Sequence, residues 1–325
     1  MFKALVLDQK DKQTLASIQQ LDESSLPDGD VLVGVEYSSL NYKDGLAITG
    51  KGKIIRNFPM VPGIDYAGAV LESKDNRFKP GDKVILTGWG VGENHWGGMA
   101  EKARVKADYL VPMPHGLDSR KAMVIGTAGL TAMLCVMALE QAGVTPDKGE
   151  ILVTGASGGV GSVSVNLLST LGYQVVAVSG RSENTKWLKS LGASRVIPRE
   201  QLLEPAKPLE KQLWAGCIDT VGSKVLAKAL AQVDYEGAVA ACGLAGGFDL
   251  PTTVMPFILR GVKLLGVDSV MCPVEKRTAA WQRLQKLLPA SLYNDVSNEV
   301  SLEGTIEMAE AIIQGQVTGR TLIKI

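Results

Sequence analysis

The stretch Ile151-Leu-Val-Thr-Gly-Ala-Ser-Gly-Gly-Val-Gly161 constrains the fold of this chain more than any other. An apolar run leads into a turn carrying Gly155, Gly158, Gly159 and Gly161, and a helical pattern follows to Leu171. Backbone without Cβ atoms at the opening of a helix lets an anion reach free N–H groups, where the helix dipole also favours negative charge. Gly158 permits the close approach, and Gly161 lets the helix pack onto the strand. The spacing departs from strict G-x-G-x-x-G, because Ala156 stands for its first glycine. What surrounds the turn strengthens it. Strands at Ile151–Thr154, Gln174–Ser179 and Arg195–Ile197 alternate with helices at Gly159–Leu171 and Glu183–Leu191. Further strands follow at Cys217–Thr220, Ala238–Ala241 and Lys263–Val267. Continuous Val/Ile/Ala strands separated by helical crossovers predict a doubly wound parallel α/β sheet, the Rossmann architecture. Ser157, Gly158, Gly159 and Val160 are then the residues expected to cradle a dinucleotide pyrophosphate.

The same turn also fits G-x-S-x-G, the nucleophile elbow of α/β-hydrolases. That fold needs a histidine after the serine, and the histidines here, His95 and His115, both precede Ser157. Chain order removes the hydrolase reading. The end of the second strand chooses between nucleotides. An NAD site usually places a carboxylate there for the ribose hydroxyls. Here the strand ends in Ser179-Gly180-Arg181-Ser182, a hydroxyl and a guanidinium suited to a 2′-phosphate, so NADPH is expected. Glu183 is assigned to the start of the next helix, and Arg195, at the third strand, is an added candidate for the adenosine phosphate.

The first ~120 residues read as β-rich, with strands at Phe2–Leu7, Asp30–Tyr37, Ala67–Glu72 and Lys83–Leu86 and turns at Asp28-Gly29 and Pro80-Gly81. A tail strand, TLIKI, is expected to return to this part, while a helix at Val274–Leu288 closes the second domain. The apolar run Ala122–Leu139 reads as a buried helix at the domain junction rather than a membrane span. Lys+Arg and Asp+Glu both number 34, so no global field draws nucleic acid or an acidic membrane surface. Cys135, Cys217, Cys242 and Cys272 form no C-x-x-C pair, which disfavours structural zinc and fits a reducing, cytoplasmic setting. The N-terminus lacks the apolar core of a signal peptide.

Four motifs, Ser38-Ser-Leu-Asn-Tyr-Lys-Asp44, Val61-Pro-Gly-Ile-Asp-Tyr-Ala-Gly68, Gly126-Thr-Ala-Gly-Leu-Thr-Ala132 and the glycine turn, resemble the medium-chain dehydrogenase/reductase superfamily, in its zinc-independent quinone-oxidoreductase branch. Ile48–Phe58, Gly88–Gly98 and Cys242–Gly247 resemble the NADPH-dependent acrylyl-CoA reductases within it. The resemblance implies a GroES-like catalytic domain at 1–120 and 292–325, a Rossmann domain at 121–291, and a homodimer. Zinc alcohol dehydrogenases of the superfamily carry a cysteine where Asn41 stands and a His-Glu pair where Ile64-Asp65 stand, so no metal is expected.

Without that metal, the implied reaction is hydride addition from NADPH to the β-carbon of an activated alkene such as acrylyl-CoA, giving propionyl-CoA. Asn41 and Tyr42 are the catalytic candidates, placed by resemblance beside the nicotinamide, with donors aimed at the enolate oxygen. Tyr42 also reads as a packing wall with a structural hydrogen bond. Thr127, Leu244, Ile258 and Ser269 join the cofactor set. Lys43 and Asp44 read as a structural ion pair, and Asp65 as holding a loop or tuning a proton. Lys51, Lys53 and Arg56 form a basic loop able to hold CoA phosphates, or merely a solvated one. Trp89 and Trp96 are candidates for the substrate mouth, though loop tryptophans also serve as core. A quinone or general enone reductase, and a non-catalytic NADPH-binding protein, are the competing readings.

Overall fold

The computed structural model describes residues 1–325, as two compact units. The strands, in chain order, are β1 (Phe2–Lys10), β2 (Gln13–Leu21), β3 (Val31–Leu40), β4 (Asp65–Ser73), β5 (Lys83–Thr87), β6 (Lys102–Val105), β7 (Leu110–Pro112), β8 (Glu150–Val153), β9 (Gln174–Ser179), β10 (Arg195–Pro198), β11 (Trp214–Asp219), β12 (Val233–Ala241), β13 (Lys263–Gly266), β14 (Ser297–Ser301) and β15 (Arg320–Lys324). Three helices bear on function: α1 (Tyr42–Thr49), α2 (Ser119–Gln141) and α3 (Gly159–Thr170).

The first unit comprises Met1–Thr127, Ser269–Gln285 and Tyr293–Ile325. Its main sheet runs β14-β15-β3-β4-β5-β7, with β6 also paired to β3. The tail strand β15 does return here, antiparallel to β3, with Thr321 opposite Leu40. Alternating apolar residues of β3, Val31, Val33 and Val35, bury one face against Tyr66, Val84 and Leu86. A separate hairpin pairs β1 with β2 through Asp11 and Lys12, both at positive φ, as a two-residue turn requires.

The second unit comprises Ala128–Asp268 and Lys286–Leu292. Its six parallel strands run β10-β9-β8-β11-β12-β13, so the first-formed strand is central and the order reverses beside it. Ligands of doubly wound sheets bind at that reversal, outside the carboxyl ends of the strands. Leu152, Val176, Cys217 and Val239 are buried within this sheet, as expected of strands covered on both faces.

Two assignments differ from expectation. The chain leaves the first unit at Thr127, inside α2, where Gly126 breaks the helical path with φ 50° and ψ −157°. The helix Val274–Leu287 belongs, as far as Gln285, to the first unit instead of closing the second. Its buried Arg277 donates from Nη1 to the Thr87 carbonyl at 2.7 Å, and from Nη2 to the carbonyls of Ser269 and Val270 at 3.1 Å each. α2 is long and apolar enough to cross a membrane, but most of its apolar stretch is buried inside the protein.

Candidate active site

In the second unit, the turn after β8 is shaped by three glycines with different tasks. Gly155 adopts φ +56°, and a Cβ there would lie 2.3 Å from the Thr220 hydroxyl. A Cβ at Gly161 would meet the Gly155 carbonyl oxygen at 2.3 Å and the Ala156 Cα at 2.6 Å, so this glycine serves the packing of α3 on the turn. At Gly158 a Cβ would meet only the Gly155 carbonyl, at 3.3 Å. Its outer side is open, which is what the approach of a ligand's phosphates at the start of α3 requires. The Ser157 and Ser179 hydroxyls lie 3.0 Å apart, joining the turn to the end of β9. The Arg181 N–H donates to Ser179 Oγ at 3.2 Å.

The third-strand arginine requires a correction. Arg195 opens β10, at the amino end of the sheet, and its guanidinium binds Glu150 through Nε at 2.9 Å and Nη2 at 2.7 Å, over the Trp214 ring. That is the opposite end from the glycine turn. Arg199, immediately after β10, stands at the carboxyl end; a Cβ on Gly180 would lie 3.0 Å from its Cζ. The sequence held the signal: the residue just past the third strand, not the one opening it, shares an end with Ser179 and Arg181. Leu244, past β12, and Ile258, on the short helix Met255–Arg260, are largely exposed.

In the first unit, Asn41 precedes α1, and its backbone N–H donates to Asp44 Oδ2 at 2.9 Å. The other oxygen of Asp44 accepts the backbone N–H groups of Gly63 at 3.1 Å and Ile64 at 3.0 Å. Asp44 is thus a cap fixing the start of α1 to the segment before β4, and the expected Lys43–Asp44 pair does not form. Lys43 binds Glu93 instead, at 2.9 Å.

Asp65 is fully buried. Its Oδ1 accepts from Ser39 Oγ at 2.6 Å, and its Oδ2 accepts the Thr127 N–H at 2.7 Å and Asn41 Nδ2 at 3.0 Å. A carboxylate so enclosed ties three segments of the first unit together, in line with the loop-holding reading of Asp65 rather than with a contact to substrate. Beside it lies Arg320, from β15, equally buried. Its Nη1 donates to Asn41 Oδ1 at 3.2 Å, Nη2 to Ser39 Oγ at 2.6 Å, and Nε to the Val124 carbonyl at 3.0 Å. Burial lowers the Arg320 pKa, while Asp65 and Asp44 oppose that shift. Burial, reinforced by the Asp65 charge, pushes Asp44 up to about 7, against the N–H groups that favour its ionised form.

This network also changes the role of Asn41. Its amide nitrogen faces Asp65 Oδ2, Asp44 Oδ2 at 3.3 Å and the Ser39 carbonyl at 3.3 Å, while its oxygen accepts from Arg320. With its donors turned inward, Asn41 has none left for an enolate. Tyr42, 38% exposed as the first residue of α1, keeps its phenol available. Arg320 escaped the sequence reading because nothing local marks it; its meeting with Ser39, which lies inside the Ser38–Asp44 motif, spans 281 positions.

Lys51 is tied to Glu310 at 2.5 Å, whereas Lys53 and Arg56 are exposed on the loop after α1. Trp89 stacks on Tyr109 with ring centres 5.3 Å apart, and the Arg277 guanidinium lies 4.8 Å from the Trp89 ring centre, so Trp89 is held within the first unit's core. Trp96 donates to the Pro59 carbonyl at 3.2 Å. No three His, Cys, Asp or Glu side chains gather in metal-binding array. The side chains at Asn41, Ile64 and Asp65 do not fit zinc: an amide and an alkyl chain leave Asp65 as the one good ligand of the three, and its oxygens are already taken by Ser39, Asn41 and Thr127.

Residues 27–115 match the sequence profile of the alcohol dehydrogenase GroES-like domain, and residues 159–287 that of the zinc-binding dehydrogenases. With this fold and these matches, the chain belongs to the medium-chain dehydrogenase/reductase superfamily, in its quinone-oxidoreductase-like branch. Within it, the chain is 69% identical to the probable acrylyl-CoA reductase AcuI of Escherichia coli (strain K12), covering 99% of both. It is 52% identical to the acrylyl-CoA reductase AcuI of Ruegeria pomeroyi, covering 100% of this chain and 99% of that one. The crystal structure of E. coli K-12 YhdH with bound NADPH superposes with a TM-score of 0.98 at 69% identity, covering 99% of each chain.

Proposed function

We propose that this protein reduces the carbon–carbon double bond of acrylyl-CoA to give propionyl-CoA, with NADPH as cofactor and without zinc. The observation that carries the reading is identity along the whole chain of 69% to the probable acrylyl-CoA reductase of E. coli and 52% to the acrylyl-CoA reductase of R. pomeroyi, in a chain that keeps the open glycine turn. The first-unit groups are ordered to match: Tyr42 is presented at the head of a capped helix.

NADPH supplies the hydride when bound. Ser157, Gly158, Gly159 and Val160 hold the pyrophosphate on the N-terminus of α3. Ser179, Gly180, Arg181 and Arg199 receive the 2′-phosphate, where β9 ends in a serine instead of the carboxylate that an NAD site usually carries. Leu244 and Ile258, both exposed in the second unit, are further cofactor candidates, as Thr127 and Ser269 are in the first. The Tyr42 phenol donates to the thioester oxygen as negative charge gathers there, lowering the barrier to hydride addition at the β-carbon, and a donor or water then gives the α-carbon the proton that completes the reduction. Asn41 and Asp44 keep that phenol in place. Lys53 and Arg56, with Lys51 after release from Glu310, hold the CoA phosphates.

The second unit supports a homodimer. β13 is an edge strand of its sheet, and Phe248, Val254, Leu259 and Leu264 are exposed there and nearby. An open apolar edge is a template for pairing with its own copy. An acyl-CoA substrate and four free cysteines support a cytoplasmic setting.

The test follows NADPH absorbance with purified protein, acrylyl-CoA and, separately, a small quinone. Rapid oxidation with acrylyl-CoA, slow oxidation with the quinone and little activity with NADH are expected. Preference for the quinone would reassign the substrate. Tight NADPH binding without turnover on either would make this a binding protein.

A further inference from the structure

Arg320 has no place in the reaction just described, yet its guanidinium is buried, with only 2% of the residue exposed. Burying a guanidinium with two carboxylates is a poor way to gain stability, because desolvation offsets the attraction and an apolar cluster would serve as well or better. What such a network does give is direction. Each group here is satisfied in one orientation only.

We propose that Arg320 and Asp65 are positioning residues for the reduction, setting the Asn41 amide and through it the bearing of Tyr42. Arg320 Nη1 requires an acceptor from Asn41 and finds Oδ1 at 3.2 Å; Asp65 Oδ2 requires a donor and finds Nδ2 at 3.0 Å. Flipping the amide would set donor against donor and acceptor against acceptor. Asn41 is the residue before α1 and Tyr42 the first within it, so a fixed Asn41 fixes the direction in which the phenol leaves the backbone. Ser39 locks the pair together, donating to Asp65 at 2.6 Å and accepting from Arg320 at 2.6 Å. Arg320 also binds the carbonyls of Val124 at 3.0 Å and Met123 at 3.4 Å, just before the break in α2, while Asp65 holds Thr127 just after it. The break itself is shaped around them: a Cβ at Gly126 would lie 2.5 Å from Arg320 Nη2 and 2.9 Å from Asp65 Oδ2.

This inference rests on the reductase reading, and its test separates the two. Arg320→Ala in the full chain is compared with wild type for kcat and KM with acrylyl-CoA, for the NADPH Kd, and for amide hydrogen exchange at residues 42–45. A displaced phenol predicts a kcat loss of about 100-fold, since a misplacement near 1 Å costs that much. The NADPH Kd stays within about two-fold, and exchange at residues 42–45 accelerates while that of β8 does not. Millimolar guanidinium, filling the vacated space, restores part of kcat; Arg320→Lys, which reaches one acceptor at a time, restores little. If Arg320→Ala does not fold, Asp65→Asn, which keeps shape and removes charge, makes the same comparison. Wild-type kcat in a folded variant, or unchanged exchange at residues 42–45, overturns the positioning role. Absence of turnover in wild type overturns the reductase reading, and the exchange result still decides the positioning role.

Discussion

Asn41 and Tyr42 are neighbours in sequence with opposite fates. The amide of Asn41 is spent inside the network of Asp44, Asp65 and Arg320, and the phenol of Tyr42 is left at the surface. Both were legible as candidates only through the resemblance of the Ser38–Asp44 motif to the superfamily, which places them beside the nicotinamide. Which of them retains a free donor was not legible, since the answer lies with Arg320, 279 positions from Asn41. The same limit applies at Arg195 and Arg199. Composition shows an arginine near the third strand; only the strand's direction shows which one faces the phosphate end. Tyr42→Phe is expected to lower kcat with acrylyl-CoA by about 100-fold, the usual cost of removing one donor to a developing oxyanion. The NADPH Kd, followed by fluorescence titration, should not move, and unchanged turnover would remove Tyr42 from the chemistry.

Among elements, the parallel strands of the second unit were the most readable. β9 falls at Gln174–Ser179 as expected, because a strand buried on both faces declares itself as an unbroken apolar run. β2 did not. Gln13–Leu21 alternates exposed and half-buried residues, is rich in glutamine, and follows a turn of Asp11 and Lys12 in place of glycine. α2 was legible as a buried helix, but its break was not, because a glycine within a helical pattern usually costs only some stability. Here φ 50° with ψ −157° is a region open to glycine alone. Gly126→Ala should therefore cost at least about 2 kcal/mol from backbone strain, with more from displaced Arg320 and Asp65. A fall in Tm accompanied by a kcat loss greater than the unfolded fraction explains is the expected result, whereas wild-type behaviour would mean that the break is not required.

For the whole molecule, the tail strand does return to the first unit, although it was expected there on the ground that the helix Val274–Leu288 closes the second, which it does not. The helix was misplaced, since an amphipathic helix announces that it packs but not against what. Its partner is revealed by Arg277, buried against Thr87 far earlier in the chain. The open β13 edge gives a prediction at this scale. Sedimentation of the wild type should report a dimer, and Leu264→Asp, placing charge on that edge, should shift it towards monomer; a monomeric wild type would contradict the assignment.

The placement of β15 within the first sheet has a consequence for synthesis. Every strand of the second unit lies between Glu150 and Gly266, so that sheet can close as soon as its own residues have left the ribosome. The first unit was begun earlier yet must wait, with β3 lacking a neighbour until Arg320–Lys324 has been made. At translation speeds of roughly 5–20 residues per second, that leaves one edge of β3 open for many seconds. The nascent protein is therefore expected to finish in the reverse of the order in which it starts, and its early segment is the part with most need of a chaperone.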